Sequence, residues 1–326
     1  MAISATTYSI LVVPASTRAG AAAISSLLSD PRKPVVTGVY ADLDAVPAGF
    51  LANPDFKAVK GDVCDGGSLG FEGADAVLAI TPPRLDGENL EDHARTSSEN
   101  VRDAVMGTRS VKRLAYLSSL GAQFENGVGE IRSNHIAESI LSDSSFEVIF
   151  IRSAPVMESF FAPLLSSLGS GGGGGSPGTV ATTIPAPPSS LPLVSLLDVG
   201  DAARDVLLAR FSGAGRRSPP TVLELRGPRP YSTRDVEDAL AEVTGDDVRV
   251  ETVKKERLGE YFLGEMKMPV NLLPEWVEWT RSLMPGGVLE RVTAGGKKTK
   301  MEEEMIRRGD RGLVEVLRGV WEEGRE

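Results

Sequence analysis

Ser9-Ile10-Leu11-Val12-Val13-Pro14-Ala15-Ser16-Thr17-Arg18-Ala19-Gly20 is the stretch from which the rest of the chain can be read. Its near-continuous apolar start, Ser9 to Val13, describes a strand buried on both faces, the kind found in a parallel sheet. A short turn follows, and then Ala21 to Leu28 carries Ile24, Leu27 and Leu28 at helical spacing. The turn stands where dinucleotide-binding folds place three glycines. The first makes the tight turn, the second admits the pyrophosphate and the third lets helix and strand pack closely. Here Pro14 and Thr17 occupy the first two places and only Gly20 remains. The helix N-terminus still offers N–H groups to a phosphate, with Ser16, Thr17 and Arg18 as side-chain donors. Pro14 lacks an N–H, and Thr17 adds bulk where a diphosphate would lie.

The same pattern repeats outward from this turn. Val35 to Tyr40, Phe56 to Lys60 and Ala76 to Ile80 read as strands, the last ended by Thr81-Pro82-Pro83. A helix is predicted from about Glu88 to Met106, a strand over Arg113 to Leu117, a helix from about Glu130 to Leu141 and a strand over Phe146 to Ile151. Strand and helix in alternation predict an α/β fold: a Rossmann-like, doubly wound parallel sheet with right-handed crossovers. Ligands of such sheets bind at the carboxyl ends of the strands. Pro14 to Gly20, Tyr40 to Asp42, Asp62-Val63, Thr81 to Pro83 and Ser118 to Gly121 are therefore expected to converge.

The 326 residues are 41% hydrophobic and 25% charged, which excludes a disordered or collagen-like chain. A net charge of -10 opposes binding to a nucleic-acid backbone, so no nucleic-acid partner is expected. The basic run Lys297-Lys298-Thr299-Lys300 leads straight into Glu302-Glu303-Glu304 and reads as a solvated helix face. One cysteine, Cys64, and two histidines, His93 and His135, exclude an intramolecular disulfide and a Cys/His zinc cluster; no metal is expected. Cys64 has no activating partner nearby in sequence, and His93, beside Glu91 and Asp92, reads as solvated. No apolar run is long enough to span a bilayer and the first residues lack the basic region of a signal peptide. A cytoplasmic protein without membrane contact is the expectation.

The chain is expected to divide near residue 155: a Rossmann-like nucleotide-binding domain over 1–155 and a smaller α+β substrate lobe with a helical extension over 156–326, some of its elements returning to the main sheet. Residues 166–192 hold the tract Gly171 to Gly175 among many Ser and Pro, and read as a mobile loop or lid. A helix over Val194 to Arg210 is expected to take Asp198 and Asp201 as its capping residues. Val222 to Leu225 reads as a strand, Ser232 as the cap of a helix reaching about Val243, and Val248 to Val253 as a half-buried strand. The remainder reads as mostly helical, with Trp276, Trp279 and Trp321 anchoring helices to the body.

Gly61-Asp62-Val63, Ala76 to Pro83, Leu117 to Gln123, Asn134-His135-Ile136-Ala137-Glu138, Phe150 to Phe160 and Val194 to Gly200 occur in an order and spacing that resemble the NmrA-like branch of the atypical short-chain dehydrogenases/reductases. The resemblance runs over about residues 8–255, and the group is abundant in fungi. It implies an NAD(P)-binding Rossmann domain with a small carboxyl-terminal substrate lobe. It also implies either reduction of quinones and other conjugated carbonyls, a chemistry of secondary metabolism, or redox sensing without turnover. It places Ser16, Thr17, Arg18, Gly20, Tyr40, Asp42, Asp62, Val63, Thr81, Pro82, Pro83 and Ser118 at the cofactor, and Gly121, Met157, Phe160 and Phe161 at the substrate. Two departures stand out. Two glycines of the turn are missing, and Tyr40-Ala41-Asp42 lies where relatives commonly carry an Arg for the NADP 2′-phosphate. Loss of that guanidinium removes a contact worth roughly 1.5–3 kcal/mol. Asp42 either binds a ribose hydroxyl, favouring NAD over NADP, or is an exposed loop carboxylate.

The Tyr-x-x-x-Lys pair of the wider superfamily is absent after Ser118-Ser119; the equivalent helix carries Arg132, Asn134, His135 and Glu138. His135 and Glu138, three apart, are expected to share a helix face, where the carboxylate would hold the imidazole's tautomer for general-acid work. The other reading has His135 packed against the neighbouring strand. Ser119 is the candidate to orient a substrate carbonyl. Three activities stay open: an NAD(P)H-dependent reductase of a small conjugated or aromatic carbonyl; a cofactor-free isomerase, dehydratase or cyclase using His135 and Glu138; and a non-catalytic NAD(P)-sensing regulator.

Overall fold

A computed structural model describes residues 8–82, 84, 86–142, 146–170, 178–211, 219–290 and 305–324. Eight strands form the main sheet: β1 (Ser9–Val13), β2 (Val35–Tyr40), β3 (Phe56–Lys60), β4 (Ala76–Ile80), β5 (Arg113–Ser119), β6 (Glu147–Ser153), β9 (Thr221–Arg226) and β12 (Ile306–Arg308). Their order is β12-β9-β6-β5-β4-β1-β2-β3, and every pairing is parallel. The chain winds outward from β1 to β3, then returns to lay β4 on the other side of β1. This reversal opens a crevice at the carboxyl ends of the central strands. β4, Ala-Val-Leu-Ala-Ile, is buried at every residue, because helices cover both faces of the sheet.

α1 (Arg18–Leu28) and α6 (Leu196–Leu208) cover one face, with Ile24, Leu27, Val199 and Leu207 against Ile10, Val12 and Leu78. α3 (Leu90–Gly107) and α4 (Arg132–Leu141) cover the other, with Val101, Val105 and Leu141 among the residues packed with Val77, Leu114 and Phe150. A short helix, α2 (Ala48–Leu51), follows β2. Arg113 is fully buried, where its guanidinium donates to Glu147 and to the carbonyls of Val206, Ala209 and Arg210 at the end of α6. A cation placed there satisfies the orphan carbonyls of the last helical turn.

The second half carries α5 (Met157–Ser170), β7 (Gly178–Thr182), β8 (Leu191–Pro192), β10 (Pro230–Tyr231), α7 (Thr233–Thr244), β11 (Val248–Thr252), α8 (Leu258–Gly264), α9 (Leu273–Leu283) and α10 (Leu313–Glu323). The reading of 166–192 as an unpacked loop is corrected here. β7 pairs in parallel with β11, β8 pairs with β10, and Val180, Ile184 and Leu191 are buried in a second core. High Ser and Pro content concealed apolar residues spaced too widely to read as a strand. The tract Gly171 to Gly175 and the stretch Lys297 to Glu304 lie outside the described residues.

Two further expectations change. α6 is capped by Ser195, whose hydroxyl accepts from the Leu197 amide at 3.1 Å. Asp198 lies inside the first turn, buried, and pairs with Arg311 at 2.6 Å; Asp201 pairs with the same guanidinium at 2.9 Å. A cap has to sit beside the free amides, and Ser195 is the polar residue at that position. β12, in a stretch expected to be helical, instead extends the main sheet beside β9. α7 begins as expected, on a reciprocal Ser232–Asp235 capping box. Among the described residues no helix is long and apolar enough to cross a membrane, and no His, Cys, Asp and Glu group could hold a metal.

Candidate functional site

At the carboxyl ends of β4, β5 and β6 the sheet opens into a cleft of about 590 Å³. The strand ends make its floor: Ile80 and Thr81, then Leu117, Ser118 and Ser119, then Ser153 to Val156, with α1 reaching the edge at Ala19. The second half of the chain makes its roof. Phe160 comes from α5, Tyr261 and Phe262 from α8, and Trp276 and Trp279 from α9. Trp276 and Trp279 are three apart and so share a helix face. Their rings meet edge to face at 5.4 Å between centroids, Phe262 adds a ring 6.2 Å from Trp276, and Phe160 one 5.9 Å from Trp279. Lys267 stands exposed at the rim with a φ of 50°, left-handed backbone that costs a residue with a side chain roughly 1–2 kcal/mol. A floor of mixed apolar and hydroxyl side chains under an aromatic roof suits an aromatic ligand with a few polar groups.

Two polar networks lie behind the floor. Tyr116, buried on β5, accepts from Asn134 Nδ2 at 3.1 Å and shares a hydroxyl–hydroxyl hydrogen bond with Thr81 Oγ1 at 2.8 Å. Burial pushes its phenol well above the ordinary range. Ser118 Oγ donates to Glu138 Oε1 at 2.6 Å, and Arg152 grips the same carboxylate through Nε at 2.9 Å and Nη2 at 2.6 Å.

Glu138 is therefore engaged by Ser118 and Arg152 and not by His135. His135 Nδ1–H donates to the Ala122 carbonyl at 2.9 Å, and the ring lies outside the lining of the cleft. Glu130, Asn134 and Glu138 follow at four-residue intervals along one stripe toward β5. His135 is displaced from that stripe by about 100°. The acidic residue that lines the cleft is Glu130, in the turn that leads into α4. It is half-buried, without a hydrogen-bond or ion-pair partner among the described residues, and burial pushes its pKa up to about 7.

The other expected site residues fall into three groups. Thr81, Ser118, Ser119 and Phe160 line the cleft. Met157 and Phe161, expected at the substrate, are buried in the second core, since neighbours of Phe160 on a helix point elsewhere; Gly121, at φ 107°, makes the turn after β5 beside Leu289. Along the expected cofactor edge, Thr17 caps α1 by accepting from the Gly20 amide at 2.9 Å. Gly20 has to be glycine: a Cβ there would lie 2.8 Å from the Pro14 carbonyl. Ser16 stands exposed in the same turn, and Arg18 lines a separate cavity with Glu158 and Arg311. Tyr40 is fully buried, its ring folded beside Gly38, and its hydroxyl has no partner among the described residues. Asp42 accepts from the Asp44 amide at 3.0 Å, Asp62 from the Cys64 amide at 2.8 Å, and Val63 is buried. Pro82 is half-buried outside the lining, and Pro83 lies outside the described residues.

His93 is not solvated. It is 8% exposed, with Nδ1 3.4 Å from both Cys64 Sγ and Arg84 Nη1. Burial lowers its pKa and raises that of the Cys64 thiol, so the pair rests neutral. Cys64 and His93 are 29 residues apart, a contact no local pattern announces. Glu130 and Asn134 did carry a signal, the four-residue spacing. The roof had none, because α8 and α9 are brought over the sheet from far along the chain.

No protein-family model matches the sequence, and neither does any curated protein. Solved structures do match the fold. Triphenylmethane reductase from Citrobacter sp., complexed with NADP(H), aligns with a TM-score of 0.69 over 95% of this chain and 99% of that one, at 19% identity. An NADPH-dependent quinone oxidoreductase from Escherichia coli aligns at 0.67 over 96% and 99%, with 17% identity. NmrA, a negative transcriptional regulator in complex with NAD, aligns at 0.67 over 98% and 96%, with 15% identity.

Proposed function

We propose, from the fold this chain shares with the NmrA-like atypical short-chain dehydrogenases/reductases, that the protein is a reductase that uses a nicotinamide dinucleotide to reduce a flat, conjugated small molecule. The observation that carries this reading is the aromatic-roofed cleft lying directly over the carboxyl ends of β4 to β6. The neighbours of this fold, two of them crystallised with NADP(H) or NAD and the third named NADPH-dependent, are named as reductases or as a regulator and support it.

The residues present fit such a cofactor, with a preference. Gly20 keeps α1 close to the turn, and Ala19 brings the first helical turn to the cleft edge, so that its free amides can take a phosphate. Thr81, Ser118 and Ser119 would flank the nicotinamide end, which supplies a hydride when bound. At the adenosine end the guanidinium common in relatives is replaced by Tyr40, turned inward, and Asp42 and Asp44 follow it. Carboxylates there repel a 2′-phosphate and accept from a 2′-hydroxyl, so NADH is the expected partner. Ser118 spends its proton on Glu138, while the Ser119 hydroxyl on the cleft floor is available to a ligand acceptor.

Thr17 capping an amide that a phosphate would otherwise use favours a second reading, a redox-neutral enzyme on the same scaffold. Titration calorimetry with NADH and NADPH separates the two. Tighter binding of NADH is expected, and Asp42→Ala should narrow the difference. Absence of binding by either nucleotide at about 1 mM would refute the reductase.

A further inference from the structure

Cys64, the single cysteine of the chain, stands exposed in the turn that follows β3. Behind it lies His93 of α3, only 8% exposed, with Nδ1 3.4 Å from the thiol Sγ. Arg84 Nη1 is 3.4 Å from the same nitrogen. A guanidinium only donates, so Nδ1 meets it with a lone pair and the ring proton sits on Nε2. The basic nitrogen of the imidazole therefore faces the thiol. Nε2 is buried without a hydrogen-bond partner among the described residues. An orphaned nitrogen in a packed interior needs a reason, and a ring kept for proton transfer supplies one. Neither Cys64 nor His93 lines the cleft over β4 to β6. Three charged groups surround the pair. Asp62, in the turn after β3, and Asp86, in the loop after β4, favour a proton on His93, and Arg84 opposes it. Asp62 also favours the protonated thiol, which Arg84 again opposes. Arg84 is itself engaged by Asp86 through Nε and Nη2.

We propose that Cys64 and His93 form a nucleophile–base pair that captures conjugated carbonyl compounds covalently, at a site separate from the cleft. A thiol with a base in contact is activated without being ionised at rest. A conjugated carbonyl takes up both halves of the thiol, sulfur at one carbon and hydrogen at the next, so a neutral pair can deliver both. The Sγ proton passes to His93 Nδ1, sulfur attacks the β carbon to form the S–C bond, and the C=C π pair shifts toward the carbonyl oxygen. The imidazolium then returns the proton to the α carbon. Nothing leaves, and no oxidant or reductant is consumed. The inference does not depend on the reductase reading.

The test treats the full chain with N-ethylmaleimide and follows the adduct by intact mass, which reports on Cys64 because no other thiol exists. An unassisted thiol reacts through its thiolate, so the urea-unfolded chain should react about tenfold faster per pH unit from about pH 6 to about pH 8. The native thiol draws on His93 instead. Its rate should be nearly flat from about pH 6.5 to about pH 8, and at about pH 6.5 at least about tenfold above that of the unfolded chain. His93→Gln, with its fold checked by circular dichroism, should restore the tenfold slope. The comparison of native with unfolded chain stands even if the variant fails to fold. A native rate that climbs tenfold per pH unit, a native chain no faster than the unfolded one at about pH 6.5, or a flat profile that survives His93→Gln would overturn the inference.

Discussion

Glu138→Gln should destabilise the fold, although the change removes a single charge and keeps the shape of the side chain. In the native chain Glu138 is 6% exposed, and its two oxygens take three short hydrogen bonds from Ser118 and Arg152. The amide can still accept from Ser118 but leaves the Arg152 guanidinium without its counter-charge. Breaking a buried pair from one side costs about 3–5 kcal/mol. The Arg152 side chain is 15% exposed and also reaches Gln123 Oε1 at 3.3 Å, which puts the expected loss near the lower bound, about 3 kcal/mol. Removing both charges together, Glu138→Leu with Arg152→Met, should cost only about 1–2 kcal/mol, chiefly the orphaned Ser118 hydroxyl. Urea unfolding followed by circular dichroism measures Glu138→Gln, the double variant and its two single changes, Glu138→Leu and Arg152→Met, at one pH. A loss below about 1 kcal/mol for Glu138→Gln, or a double variant as damaged as the sum of the singles, would refute the assignment of this pair as the buried support of Ser118.

Two glycines near the site should respond very differently to alanine. Gly129, at φ 57°, would put a Cβ 1.9 Å from the Glu275 carbonyl and 2.5 Å from the Trp279 amide, whereas Gly127, at φ 77°, has its nearest neighbour at 3.9 Å. Gly127→Ala should cost about 1 kcal/mol and Gly129→Ala well over about 3 kcal/mol with loss of ligand binding; equal urea midpoints would contradict this. Stability should also fall as pH rises from about 4.5 to about 7, because the folded chain holds a proton on Glu130 that the unfolded chain has already lost. The loss comes to about 3 kcal/mol, is complete only above about pH 7, and should be absent in Glu130→Gln; parallel melting profiles for the two chains across that window would argue against it.

What could be read in the linear chain is what neighbouring residues decide. The apolar runs at Ser9, Val35, Ala76 and Arg113 mark strands because a strand buried on both faces needs consecutive apolar residues. Ser232 and Asp235 announce the start of α7 because a capping box is complete within four residues. Pairing of His135 with Glu138 failed as an expectation for a related reason. Spacing along a helix says which side chains are neighbours, but not which neighbour meets a stronger partner from another element, and Arg152 on β6 took the carboxylate.

The sequence by itself determined the doubly wound sheet and the location of its ligand crevice, since alternating local patterns and the handedness of crossovers leave few other topologies. Only the tertiary structure decided what fills that crevice. Trp276, Trp279, Tyr261 and Phe262 reach it from beyond residue 258, and Cys64 meets His93 across two connections. Whether Glu130 is solvated or stranded in an aromatic cleft depends on what α8 and α9 exclude, because a carboxyl's charge is set by the water it loses, which no neighbour in sequence specifies.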